Sequence, residues 1–113
     1  MTTNMEQTKL INPTNSHTTR GFVIRCPVDQ LPEHADRLLS DPDWRVRYEF
    51  AWRCPEARLA EFADKLLGDA YWVVRRRFVL RCPAERLPEF ADKLLSDADW
   101  EVRREFARRC PTA

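Results

Sequence analysis

The sequence has only two glycines, no long apolar run and almost no net charge. With 43% hydrophobic and 33% charged residues, it is typical of a folded, helix-rich chain and not of a disordered one. The 19 basic and 18 acidic side chains give no bulk nucleic-acid signature, although the two signs could be segregated onto different faces. No stretch approaches the 18 apolar residues of a membrane span, and the N-terminus does not resemble a signal peptide. The expected location is the cytoplasm, without membrane association.

The chain also lacks the short motifs of enzymes. It contains no GxSxG, HExxH, P-loop or GxGxxG segment and no nucleophile–base pair. His17 and His34 are isolated from each other and from any cysteine pattern, so neither is expected to bind metal or act in catalysis. The sequence therefore predicts a non-enzymatic protein without cofactor or metal.

A repeat of 28 residues organises what is present. Three repeats, 25–52, 53–80 and 81–108, align without gaps, and 14 of their 28 positions are identical. A partial repeat, 17–24, precedes them and a closing segment, 109–113, follows. Residues 1–16 have no periodicity and are expected to form a flexible arm. The remaining residues, 17–113, are predicted to be one domain.

Each repeat predicts two helices. Helix A carries an amphipathic apolar stripe and is expected near 31–39, 59–67 and 87–95. Helix B is expected near 42–53, 70–81 and 98–109. An aspartate would open it, most clearly in Asp41-Pro42, and the proline of the next repeat would end it. Its first turn contains a tryptophan in every repeat, Trp44, Trp72 and Trp100, which we expect to fill the core. Helices this short need neighbours, so the repeats should stack.

The four cysteines are one position of the repeat. Cys26, Cys54, Cys82 and Cys110 are spaced by 28 residues, and equivalent helices of a stack lie about 8–10 Å apart, which is too far for a disulfide. No CxxC pair exists for zinc or an iron–sulfur cluster. Buried, reduced thiols are expected, in keeping with a reducing compartment.

The string DPDWRVR, followed by an apolar pair and RCP, resembles the leucine-rich repeat variant family and the short HEAT repeats of phycobilisome-lyase type. Their D-P-x-x-x-V-R core stands here as Asp41-Pro42 with Val46-Arg47, Asp69 with Val74-Arg75, and Asp97 with Val102-Arg103. The resemblance covers residues 17 to 111 and implies an all-α, two-layer α-solenoid of about three and a half helix pairs. The period is longer than is usual in the variant family. The cysteine-rich segment of some members is missing, so no cluster is implied.

Arg47, Arg75 and Arg103 fall within the apolar arc of helix B, where an unpaired guanidinium would be very costly. The resemblance implies that they form a ladder with the repeat's aspartates. A row of phosphate-binding arginines is the functional alternative. The arginines at the end of helix B (Arg25, Arg53, Arg81 and Arg109) are expected to reach terminal carbonyls and complement the helix dipole.

The outward arc of helix B is where the repeats differ. One row reads Ile24, Trp52, Leu80, Arg108, and the row beside it reads Arg20, Tyr48, Arg76, Arg104. Together with Arg45 and Arg77, these residues form the predicted partner-binding surface, because apolar side chains edged by Tyr and Arg have the composition of interface hot spots. Scattered surface apolar residues are the alternative explanation.

Three functions follow from these features. The first is a protein-binding module: a small adaptor, inhibitor or regulatory protein. The second is binding of a nucleic-acid backbone through the Arg-rich face of helix B. The third is self-assembly through an uncapped C-terminal end, at which Phe106 and Cys110 would be exposed; the arm could instead cover this end.

Overall fold

The computed structural model describes residues 16–111, of which 78% are helical and none is in a β-strand. The prediction of an all-α protein is confirmed. Most of the predicted arm lies outside the described residues, apart from Ser16. The α-helices in the described range are α1 Ser16–Arg25, α2 Ala35–Leu38, α3 Trp44–Arg53, α4 Ala63–Leu67, α5 Trp72–Arg81, α6 Ala91–Leu95 and α7 Trp100–Arg109. A 3₁₀ helix precedes each short α-helix: Val28–His34, Glu56–Phe62 and Ala84–Phe90.

These helices form two compact units that divide at Cys54 and Pro55. The N-terminal unit contains the partial repeat and repeat one, and α1 packs against α3 within it. The C-terminal unit contains repeats two and three, and α5 packs against α7. Within each unit, the second helix of one repeat therefore lies beside the second helix of the next.

Helix A differs from the prediction in where it begins and in its geometry. It begins three residues earlier than expected, and its first half is a 3₁₀ helix in all three repeats. Proline does not explain this geometry. Pro32 and Pro88 lie inside two of these helices, but Ala60 occupies the same position in repeat two. All three 3₁₀ helices share a fully buried leucine, at Leu31, Leu59 and Leu87.

Helix B begins two residues later than predicted, and the predicted cap is wrong. Asp43 caps α3 by accepting a 2.9 Å hydrogen bond from the Arg45 amide, and Asp99 caps α7 in the same way. Asp41 instead forms the preceding turn, where its carboxylate accepts the Asp43 amide at 2.8 Å. A carboxylate that bonds the amide two residues ahead competes with helix geometry, so the helix starts only after this turn.

The core consists of one apolar set taken from each repeat. Helix B contributes its inward arc, on which helical spacing places Val46, Phe50, Ala51 and Cys54. Each residue of this arc is fully buried, and so are Val74, Phe78, Val79 and Cys82 at equivalent positions in repeat two. Edge-to-face ring pairs recur as well, Phe22 with His34 at 5.0 Å and Phe78 with Phe90 at 5.4 Å.

The tryptophans were predicted wrongly as core residues. Trp44 and Trp72 are half-buried, and 58% of Trp100 is exposed. Their place in the first turn of helix B lies at the border of the core, not inside it. Trp44 contacts Tyr48 in an edge-to-face ring pair at 5.9 Å.

Candidate functional site

Two large apolar side chains are exposed at equivalent positions of the N-terminal unit. Ile24 at the end of α1 is 45% exposed and Trp52 at the end of α3 is 50% exposed. Phe22, Val23, Phe50 and Ala51 on the same two helices are buried and supply the contact with the core. Ile24 and Trp52 are therefore not needed to fill that core. Because α1 packs against α3, these two predicted site residues belong to one outward surface.

Polar members of the predicted site border the same pair of helices. Arg45 binds Asp43 with its Nε at 3.2 Å. The pKa of Asp43 is lowered, chiefly by its hydrogen bond from the Arg45 amide, then by the Arg45 side chain and by the positive charge of Arg20. Tyr48, one turn before Trp52, is half-buried against Trp44. The structure thus brings Arg20, Arg45 and Tyr48 to the two helices that carry the exposed pair.

The arginines predicted in the C-terminal unit are arranged differently, around a buried carboxylate. Glu105 on α7 is only 5% exposed. Arg76 on α5 lies 3.3 Å from its Oε2, and Arg108 lies 4.0 Å from the same atom. Helical periodicity places Glu105 on the outward arc of helix B, but the structure buries it. The charges of Arg76 and Arg108 are therefore partly neutralised by one carboxylate.

The remaining predicted residues of this unit form no apolar row. Arg104 lies 3.8 Å from Glu101 and stacks over Trp100, with its guanidinium carbon 5.9 Å from the ring centre. Leu80 and Arg77 are half-buried. The row that was expected to continue through Leu80 and Arg108 thus changes character: the N-terminal unit presents apolar side chains and the C-terminal unit presents ion pairs.

The Arg–Asp ladder is formed between repeats two and three. Arg75 binds the Asp97 carboxylate with two hydrogen bonds, Nε to Oδ2 at 2.7 Å and Nη2 to Oδ1 at 3.0 Å. Its Nη1 also donates to the backbone oxygen of Asp69 at 2.7 Å. All three guanidinium nitrogens of Arg75 are therefore engaged, and its charge is balanced by the Asp97 carboxylate. The predicted pairing of this arginine with an aspartate of the repeat is confirmed, and it disfavours the phosphate-binding alternative at Arg75.

A cavity of about 380 Å³ lies over this ion pair in the C-terminal unit. Its charged lining includes Arg75 and Asp97, which bind each other, and Lys93, which lies 3.2 Å from Asp64. No histidine, cysteine or serine–base pair is among the lining residues. The cavity therefore lies where two repeats meet, and its lining does not contain a recognisable set of catalytic groups.

Two of the arginines at the end of helix B, Arg53 and Arg109, behave as predicted. Arg53 donates to the backbone oxygen of Cys26 at 3.3 Å, and Arg109 donates to that of Cys82 at 2.8 Å. Each thus reaches the terminal carbonyl one repeat earlier, which satisfies a helix-end acceptor.

The four cysteines are free thiols, and three of them are buried as expected; Cys110 is partly exposed. Burial raises the pKa of Cys82 to about 11 and also raises that of Cys26. Within residues 16–111, no group of three His, Cys, Asp or Glu side chains could hold a metal ion. None of the helices in that range has the length and apolar character needed to cross a membrane.

The exposed apolar residues of repeat three are not those predicted. Phe106 is buried, with 5% of its surface exposed, because it packs on the inward arc like Phe50 and Phe78. Cys110 is half-buried. Leu95 and Trp100 are exposed instead, at 63% and 58%. Their sequence positions gave no signal of this, since Leu67 at the equivalent place in repeat two is buried.

No family model, curated protein or solved structure matches this chain.

Proposed function

We propose that the chain is a non-enzymatic protein-binding module, a short α-solenoid of HEAT-like helix pairs. Its proposed contact surface is the outward face of α1 and α3, with Ile24 and Trp52 at its centre. The observation that carries the proposal is the exposure of these two side chains at equivalent positions of adjacent helices. Tyr48 and the arginines Arg20 and Arg45 would form its polar border.

The chemistry of this surface favours a protein partner. A paired isoleucine and tryptophan gain free energy when apolar atoms cover them, at roughly 25 cal/mol per Å² of buried surface. Tryptophan, tyrosine and arginine are also the residues in which binding energy concentrates at interfaces. The surface lies on helices that the core already holds, so binding needs no change in the fold.

The solenoid arrangement is supported by the repetition of contacts. In each unit, the second helix of one repeat packs against the second helix of the next, as α1 does with α3 and α5 with α7. The Arg75–Asp97 pair and the bonds from Arg53 and Arg109 each join residues about one repeat apart. Contacts between neighbouring repeats are the defining feature of such folds.

Nucleic-acid binding is the weaker proposal. It depends on Arg76, Arg77, Arg104 and Arg108, and three of these, Arg76, Arg104 and Arg108, lie within 4.0 Å of a glutamate. A phosphate backbone would have to displace those carboxylates, and it would approach buried Glu105 against charge repulsion. A mobility-shift titration with duplex DNA and RNA at low salt, where phosphate contacts are strongest, tests this; a shift would favour this second function.

The test of protein binding compares two tryptophans of similar exposure. Affinity-tagged wild-type chain, Trp52→Ala and Trp100→Ala are used to capture proteins from the native cell, with quantitative mass spectrometry as the readout. A partner of the proposed surface is lost with Trp52→Ala and retained with Trp100→Ala. With the purified partner, Trp52→Ala is expected to weaken binding by about 2 kcal/mol, which is roughly 30-fold. Equal capture by all three chains would contradict the proposed surface.

A further inference from the structure

A second surface, separate from Ile24 and Trp52, is identified from the contacts that repeat three makes with repeat two. The Asp97 carboxylate receives the Arg75 guanidinium, and the exposed fractions of these side chains are only 6% and 12%. Beside this pair, Leu67 is 8% exposed and lines the same cavity as Asp97 and Ala98. An aspartate-bearing turn at the start of a helix therefore lies against a leucine and an arginine of the preceding repeat.

Repeat three presents the equivalent leucine and arginine, and within residues 16–111 no such turn lies against them. Arg103 donates its Nη1 to the backbone oxygen of Asp97, which corresponds to the bond from Arg75 to Asp69. Among residues 16–111, however, no carboxylate lies within 4.0 Å of the Arg103 guanidinium. Leu95, the equivalent of Leu67, is 63% exposed. Trp100, which begins the next helix after the turn that follows Leu95, is 58% exposed. We call Leu95, Trp100 and Arg103 the open edge.

We propose that the open edge binds another protein through an aspartate at the start of one of its helices. The carboxylate would accept two hydrogen bonds from Arg103, in the geometry that Arg75 uses for Asp97. Small or apolar side chains next to that aspartate, in the place of Ala98, would cover Leu95 and Trp100. The partner would thus form a further Arg–Asp ion pair of the kind that joins Arg75 to Asp97.

Charge and sequence favour a different protein over a second copy of this chain. A copy stacked head to tail would continue the ladder with the residue one repeat before Asp41, and that residue is Pro13, which has no carboxylate. One repeat before Arg47 stands Thr19, so the first step of the ladder is absent from the partial repeat. The proposal does not depend on the function proposed for Ile24 and Trp52, because the two surfaces share no residue.

The ladder chemistry is tested by supplying the missing turn covalently. Residues 1–111 are extended in register by a second copy of residues 84–111. The second copy of Asp97 then stands one repeat after Asp97, where the carboxylate partner of Arg103 is expected. Covalent linkage makes docking intramolecular, so a weak intrinsic affinity suffices. We expect the extended chain to have a higher urea midpoint and less acrylamide quenching of tryptophan fluorescence per residue than the native chain.

Two substitutions show whether Arg103 carries the effect. Arg103→Gln is expected to lower the urea midpoint of the extended chain and leave that of the native chain nearly unchanged. Asparagine in place of the appended aspartate is expected to match Arg103→Gln, and Arg86→Gln, at an exposed ion pair outside the open edge, serves as control. An equal effect of Arg103→Gln on both chains, or no gain on extension, would overturn the proposal.

Other occupants of the open edge give different results. We expect light scattering to find the native chain monomeric and deletion of residues 2–15 to leave quenching of Trp100 unchanged. A dimer that Trp100→Ala abolishes would assign the edge to a second copy. Increased quenching after the deletion, absent in Trp100→Phe, would assign it to the N-terminal residues. Either result would overturn binding of another protein. If neither occurs, a captured partner must lose binding with Arg103→Gln and keep it with Trp52→Ala.

Discussion

Arg75 holds Asp97, one repeat ahead, in a nearly buried two-bond ion pair, while Asp97 also accepts the backbone amide of Asp99 at 2.9 Å. The same carboxylate therefore shapes the turn before α7 and ties this turn to α5. Burying two charges gives little net stability, but removing one partner leaves the other uncompensated. The pair thus fixes how repeat three lies against repeat two more than it adds to the total free energy of unfolding.

The first prediction concerns this pair. Arg75→Ala should lower the free energy of unfolding by about 3 kcal/mol, because Asp97 stays buried without its cation. Arg104→Ala is the matched control: its side chain is 52% exposed and its ion pair is long, so a change within about 0.5 kcal/mol is expected. Urea unfolding followed by circular dichroism measures both. Equal midpoints for the two variants would mean that the pair has no structural role.

The second prediction concerns Arg76, a member of the predicted partner-binding surface. Since its Nη2 faces buried Glu105, Arg76→Ala should destabilise the fold by about 1 kcal/mol, reduced by the partial exposure of the arginine. In a double-mutant cycle, the cost of Arg76→Ala should largely vanish in a Glu105→Gln background. Additive effects would show that the two side chains are not coupled.

The third prediction concerns His34, whose pKa is lowered by burial and, to a smaller extent, by Arg37, against an opposing effect of Glu33. Below about pH 6.5 the unfolded chain binds a proton that folded His34 resists, so stability is lost as the pH falls from there through the folded pKa. His34→Phe should remove this part of the acid dependence. Phenylalanine stands at the equivalent positions Phe62 and Phe90, so the variant should fold. Urea midpoints at pH 7 and 5 give the comparison, and identical pH dependence in both chains would refute the assignment.

The fourth prediction concerns the thiols. The pKa of Cys82 is about 11 in the folded chain against an ordinary value of 9.0, so the unfolded chain loses this proton first. The protonated Cys82 thiol makes its full contribution to the free energy of unfolding below about pH 9. This contribution is lost as the pH rises toward 11. At neutral pH, iodoacetamide should modify partly exposed Cys110 well before buried Cys82. Mass spectrometry of time points gives the order, and four thiols should react in denaturant. Equal rates for Cys110 and Cys82 in the folded chain would contradict the described burial.

Local sequence predicted the parts of this fold that one repeat can specify. The spacing of Val46, Phe50 and Cys54 placed them on one helical arc, and that arc is buried. The proline after each cysteine predicted the end of helix B, because a proline cannot continue the helical bonding. The charge at Arg75 predicted a partner, because a guanidinium at the edge of an apolar core needs one.

Sequence predicted the candidate surface only in part. Ile24 and Trp52 are exposed as the outward arc required. Arg76 and Arg108 lie on the same arc by periodicity, but they converge on Glu105, which belongs to a different repeat from Arg76. A helical wheel describes one helix at a time, so it could not show that a residue on the outward arc of α7 would be buried beside α5.

By itself, the sequence determined the 28-residue repetition, the helical class, the inward arc of helix B and the type of partner that Arg75 required. Tertiary structure alone decided which of two identical residues is buried: Leu67 is 8% exposed and Leu95 is 63% exposed, although both end the same ADKLL segment. The physical reason is that burial depends on the atoms that neighbouring segments place over a side chain. Repetition makes the local conformations alike, but among residues 16–111 no segment covers Leu95 as repeat three covers Leu67.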